Sequence, residues 1–147
     1  MSYGSPQTIV ATNLNSAGNG TLIATPAVTL SVVPHDLRFQ IKITLGSSGV
    51  GSAGTVTVYL ASSINTSDGY TDGIDPTSGS DQISKLKNLM PLKNLVANAN
   101  DQIVNDTIDL RQIVGSPPEN FCLVFLNSTS AAFASTGHSI KYQTLGY

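Results

Sequence analysis

Leu37-Arg-Phe-Gln-Ile-Lys-Ile-Thr-Leu45 alternates apolar and polar residues without a break. Leu37, Phe39, Ile41, Ile43 and Leu45 fall on one side; Arg38, Gln40, Lys42 and Thr44 fall on the other. Successive side chains of a strand point to opposite faces, so a period of two means a sheet with one dry and one wet face. Thr55-Val-Thr-Val-Tyr-Leu-Ala61 repeats the pattern, with Val56, Val58 and Leu60 in phase. Between them, Gly46-Ser-Ser-Gly-Val-Gly-Ser-Ala-Gly54 is a glycine–serine loop that suits an antiparallel hairpin. The pair is expected at the centre of a β-sandwich.

Short strands are expected to precede it, from Thr8 to Thr12, Thr21 to Thr25 and Val28 to Val33, with Pro26 and Pro34 as punctuation. Residues 62–82 form a polar excursion too long for a simple turn. From Lys85 to Val96 the leucines suit either a short helix or an irregular strand, and Pro91 argues against a continuous helix. Ile103 to Leu110 reads as a strand, and Asp109-Leu-Arg-Gln-Ile-Val-Gly115 as one capped helical turn ending at glycine. Phe121-Cys-Leu-Val-Phe-Leu126 is apolar on both faces, which implies a strand covered on both sides. His138 to Leu145 closes the chain as a strand. Eight or nine short strands separated by turns indicate a single all-β domain, an antiparallel sandwich of jelly-roll or Greek-key type over 8–147. Phe39, Ile41, Ile43, Val56, Val58, Leu60, Phe121, Leu123 and Phe125 are expected to line one core.

Residues 1–7 stand apart. Met1-Ser-Tyr-Gly-Ser-Pro-Gln7 has two breakers and no apolar pattern, and ordering it alone costs about 1–2 kcal/mol per residue of backbone entropy. It is therefore expected to be an arm that a neighbouring subunit holds. With neither a basic start nor an apolar stretch, it does not read as a secretory signal.

Only 11% of the 147 residues are charged, against roughly 25% in an average soluble domain. Ser, Thr and Asn supply 44 residues, so the surface is wetted by neutral hydroxyls and amides, and it tolerates close apposition to other proteins. Net charge is −2 without a basic run, which argues against nucleic acid as a partner. The longest apolar run, residues 121–126, is too short to cross a bilayer, so no membrane partner is expected. Cys122 is the only cysteine; it reads as a small core residue of a protein folded in the cytoplasm.

Candidate chemistry is sparse. Asp68, Asp72 and Asp75 place three carboxylates in one loop, the oxygen ligands calcium uses, but not at EF-hand spacing. Aspartate–glycine pairs are turn formers, and a turn is the preferred reading. His35, His138 and Cys122 have no zinc-site spacing, and no Gly-x-Ser-x-Gly elbow supports a serine nucleophile. Asn19, Asn65, Asn105 and Asn127 match the glycan acceptor pattern as accidents of an Asn/Ser/Thr-rich composition. No catalytic residue, metal or cofactor is expected. Asp68, Asp72, Asp75 and Asp81 precede Lys85, Lys87 and Lys93, which could make complementary patches between copies.

Gly54-Thr-Val-Thr-Val-Tyr-Leu-Ala-Ser-Ser63, followed by Asp68-Gly-Tyr-Thr-Asp-Gly73, resembles the small virion structural proteins of tailed bacteriophages. Asp109 to Gly115, Pro117-Pro118 and Gly137-His-Ser-Ile-Lys-Tyr-Gln143 extend the likeness over roughly Asp36 to Tyr147. The resemblance implies a β-sandwich on the phage head, a decoration or cement protein bridging major capsid proteins, often as a trimer. It carries over no catalytic residues. A tail or baseplate connector or adhesin is the second reading. A carbohydrate-binding sandwich is the third, with Tyr3 and Tyr70 as its only evident loop aromatics and no Trp. Met1, Ser2, Tyr3, Pro6, Tyr70, Lys85 and Lys87 are the candidate partner-interface residues.

Overall fold

A computed structural model describes residues 2–146; Met1, one of the candidate interface residues, lies outside them. Among the described residues the strands are β1 (Gln7–Ile9), β2 (Leu22–Ala24), β3 (Val28–Thr29), β4 (Asp36–Thr44), β5 (Thr55–Ser63), β6 (Met90–Val96), β7 (Ile103–Asp109), β8 (Asn120–Ser128) and β9 (Ser139–Leu145). One sheet has the order β1-β9-β4-β7; the other has β2-β8-β5-β6, with β3 also paired to β8. Every pairing is antiparallel. The chain changes sheets at each step except β2 to β3 and β5 to β6. With β2 and β3 sharing one place beside β8, this is the connectivity of a jelly roll.

The alternation places the dry sides correctly. All nine expected core residues fall in one cluster, with Phe39, Ile41, Ile43, Val56 and Val58 fully buried. Phe39 meets Phe121 edge to face at 5.6 Å, a geometry favoured by the ring quadrupole.

The hairpin expectation fails. β4 belongs to the four-stranded sheet and β5 to the five-stranded one, so their apolar faces oppose each other across the core. The loop between them crosses the sandwich, a gap of about 10 Å. At its end Gly54 passes so close to the Ala97 carbonyl that a Cβ would collide with it. Glycine there serves close approach rather than a tight reversal.

Other boundaries shift for identifiable reasons. The two strands expected over 8–12 and 28–33 shorten to Gln7–Ile9 and Val28–Thr29. The ambiguous stretch resolves into a 3-10 turn, Ile83–Lys85, and edge strand β6. Pro91 sits in that edge strand beside a register shift between Val58 and Tyr59, where a missing donor is tolerated. The helical turn α1 (Arg111–Val114) ends at Gly115, whose φ of 79° suits glycine. Asp109 does not cap it: its carboxylate pairs with Arg38, and the Arg111 N–H donates to Asp36.

β8 is covered on both faces, as its composition demands. Its second face carries Cys122 and Val124, which join Leu22, Ala24, Ala61, Ile74 and Leu89, with Tyr70 and Leu86 packed against them. The polar excursion is therefore a lid over the five-stranded sheet. Gln82 stitches it: its Oε1 accepts from the Asp75 N–H (2.8 Å), and its Nε2 donates to the Asp75 carbonyl (2.9 Å).

Candidate functional site

The two outer faces of the sandwich differ. That of the five-stranded sheet lies under residues 64–89, whereas the wet side of β4 and its neighbours stays bare. Register lays out its side chains in rows: Gln143, Arg38 and Asp109; then Lys141, Gln40 and Thr107; then Ser139, Lys42 and Asn105. Arg38 Nε donates to Asp109 Oδ1 at 2.6 Å, and Gln143 Nε2 donates to the Gly4 carbonyl at 3.0 Å. The side chains of Gln40, Lys42, Asn105, Ser139 and Lys141 make no hydrogen bond or ion pair among the described residues. Gln40 and Lys141 border two adjoining depressions, one of about 220 Å³ reaching Pro6 and one of about 250 Å³ reaching Lys42. This face offers amides, hydroxyls and two unpaired ammonium groups for hydrogen bonding outward.

The N-terminal segment runs along one edge of the same sheet. Tyr3 bridges to Leu145, the Gly4 N–H donates to the Thr144 carbonyl (2.9 Å), and Gln7, Thr8 and Ile9 pair with Tyr142, Lys141 and Ile140. The Tyr3 hydroxyl donates to Asp36 Oδ2 at 2.7 Å, and the Arg38 guanidinium lies 4.1 Å from the centre of its ring. Asp36 Oδ1 accepts from the N–H groups of Leu37 (2.8 Å) and Arg111 (3.0 Å). Burial pushes the Asp36 carboxyl upward, but the Tyr3 hydroxyl and these N–H donors outweigh it and hold it below the ordinary range. Where the sequence suggests an arm ordered only by a neighbour, the structure supplies partners from the chain itself. An aromatic anchor and a ladder edge offset the entropy cost of ordering this segment.

The expected interface residues do not form one patch. Tyr3 and Pro6 border the bare sheet, and Ser2 is exposed beside them in sequence. Tyr70, Lys85 and Lys87 belong to the lid over the other sheet. Tyr70 is no free loop aromatic; its ring is half-buried against that cluster. Lys85 Nζ donates to Gln82 Oε1 at 3.1 Å, and the Lys87 side chain is exposed. Of the residues the sequence did not mark as an interface, Gln40 and Lys42 had one visible signal, the polar half of the β4 alternation, while Asn105 and Lys141 join them only through strand register.

The other candidates are structural. Asp72 accepts from the N–H groups of Lys87 and Asn88 and from Asn88 Nδ2, while Asp75 caps Thr77 and Asp81 accepts from Leu22 and Ile83. These aspartates are spent on turns rather than converging on a cation or matching the lysines as an opposed patch. Among the described residues, no group of three or more His, Cys, Asp or Glu could hold a metal. His138 lies at one end of β4, its Nδ1 accepting from the Thr44 N–H and its Nε2 against the Ala134 carbonyl, so neither ring nitrogen is free. His35 lies at the other end of β4 and Cys122 under the lid. Burial pushes the Cys122 thiol up to about 12. Asn127 is buried, with its amide bonded to the Ala17 and Ala131 carbonyls, which closes it to modification. Compared with known proteins, the chain matches no family model and no curated protein.

Proposed function

We propose that this protein is a non-enzymatic structural component of a tailed-phage particle, a decoration or cement protein lying across major capsid proteins on the head. The observation that carries the reading is the asymmetry of the two outer faces. One is sealed by the chain's own lid; the other presents rows of unengaged amides, hydroxyls and lysines. Neutral polar groups are less costly to bring out of water than charges, so such a face suits flat apposition to another protein. Lys42 and Lys141 favour an acidic patch on the partner. Jelly rolls occur in viral capsid proteins and in lectins, which is support by analogy of fold alone. The sugar reading is weaker because the Arg38 guanidinium covers Tyr3 and Tyr70 packs against the cluster beneath the lid. In the preferred reading the protein assembles in the host cytoplasm as a homo-oligomer and stabilises the shell by mass action, since it binds the assembled state.

The test is co-sedimentation of wild-type protein and a Lys42→Glu/Lys141→Glu variant with undecorated capsids. Loss of binding by a variant that keeps its circular dichroism spectrum is the expected result. Equal binding by both forms refutes the face, and labelling at the tail refutes the head assignment.

A further inference from the structure

We infer that the end of the sandwich carrying Ile64 is a self-complementary surface through which two copies of this chain pair about a twofold axis. Ile64 follows directly on β5 and is 99% exposed, a knob with no contact to its own core. Beside it lies a depression of about 300 Å³ with apolar walls from Leu60, Met90, Val114 and Pro118. Ser62 and Thr71 border both this depression and the shallower one at Ile64, so knob and hole share one surface. Met90, one of the hole's walls, is 44% exposed. Isolated exposed apolar residues need no explanation, but a knob beside an apolar hole does.

The occupant follows from geometry and charge. Adjacent knob and hole on one surface are satisfied together by a twofold contact, in which each copy's Ile64 enters the other's hole. Asp68 is the one charged residue that borders either depression, and the hole itself is lined by no charged side chain. An uncharged apolar hole suits an uncharged apolar knob, and a second copy of this chain presents that knob beside its own hole. The pairing does not rest on the capsid reading, because it is a property of the free protein.

Sedimentation equilibrium on the purified chain tests it, with Ile64→Asp removing the knob and Met90→Arg blocking the hole. Both side chains are exposed enough for the fold to survive, which circular dichroism checks. Wild type is expected at twice 15.3 kDa. Each variant alone should dissociate roughly a hundredfold more readily, since both apolar insertions are lost. An equimolar mixture of the two variants should regain a mixed pair, because the intact Ile64 of one finds the open hole of the other. A monomeric wild type at high micromolar concentration, or any oligomer indifferent to both substitutions, overturns the proposal. So does a mixture that stays monomeric.

Discussion

Replacing Asp36 by alanine should be the most damaging single change outside the apolar core. The carboxylate is 7% exposed and accepts from the Tyr3 hydroxyl and the N–H groups of Leu37 and Arg111, so it ties the N-terminal segment, β4 and α1 together. Alanine leaves two backbone donors without a partner in a nearly dry place, at about 1–3 kcal/mol each, and also removes the bond to tyrosine. The expected loss is roughly 3–5 kcal/mol at pH 7, at the upper end of single substitutions. Tyr3→Phe deletes only one donor and leaves the ring under Arg38, so it should cost about 1 kcal/mol. A double-mutant cycle by urea unfolding isolates the coupling between the two. The acid limb gives a second check. The native Asp36 pKa is lowered from 3.8, so its contribution is complete above that value and disappears as pH falls through the native one. The stability gap between wild type and Asp36→Asn should therefore be flat from neutral pH down to about 5 and close in stronger acid. An alanine variant within about 0.5 kcal/mol of wild type, or a gap that widens in acid, would refute the reasoning.

Phe39→Ala removes a fully buried ring packed on Phe121 and should cost roughly 3–5 kcal/mol, read as a melting shift of about 10 °C. In the 68–75 loop, Asp68→Asn should be neutral, while Asp72→Ala should lower the melting temperature only slightly, because the exposed N–H groups of Lys87 and Asn88 exchange their acceptor for water. A chelator should leave the melting temperature of both and of wild type unchanged; a chelator-dependent drop in wild type would restore the calcium reading. Cys122 should resist an aromatic disulfide reagent at pH 8 until urea unfolds the chain, since burial keeps it a thiol; fast labelling of the native protein would count against the sealed lid.

What the sequence conveyed and what it withheld have physical causes. The alternation of Leu37 to Leu45 reports which side of a strand is dry, because that depends on each residue alone. It says nothing about which strand lies alongside. β4 and β5 carry the same pattern in phase whether they pair within a sheet or oppose each other across the core, so the hairpin and the crossing were indistinguishable by periodicity. Loop length did not decide it either, since nine residues serve both. The lid was legible only indirectly. Residues 62–82 look like a solvated loop, yet the two-sided apolar run of β8 required something to cover Cys122 and Val124. Tyr3 reads from the sequence as a partner-interface residue, and its anchoring within the chain is not legible there because Asp36 and Arg38 are distant in sequence and no local pattern announces them.

The candidate binding face was half visible for the same reason. Arg38, Gln40, Lys42 and Thr44 mark the wet side of one strand, but Lys141, Ser139, Asn105 and Thr107 join them only through the register of β9 and β7. That assembly has a consequence for the two proposed contacts. The residues of the bare face and those around Ile64 are disjoint sets, and the first belong to one sheet while the second lie at the end of the other. A twofold pair through Ile64 thus leaves both bare faces open. Two weak faces that can engage a repetitive surface at the same time bind it far better than one, because the second contact forms at a high effective concentration. A single face of neutral amides and two lysines is a modest binder by itself. Pairing would turn that modesty into selectivity for an ordered array over isolated subunits, which is the discrimination a protein that stabilises assembled shells requires.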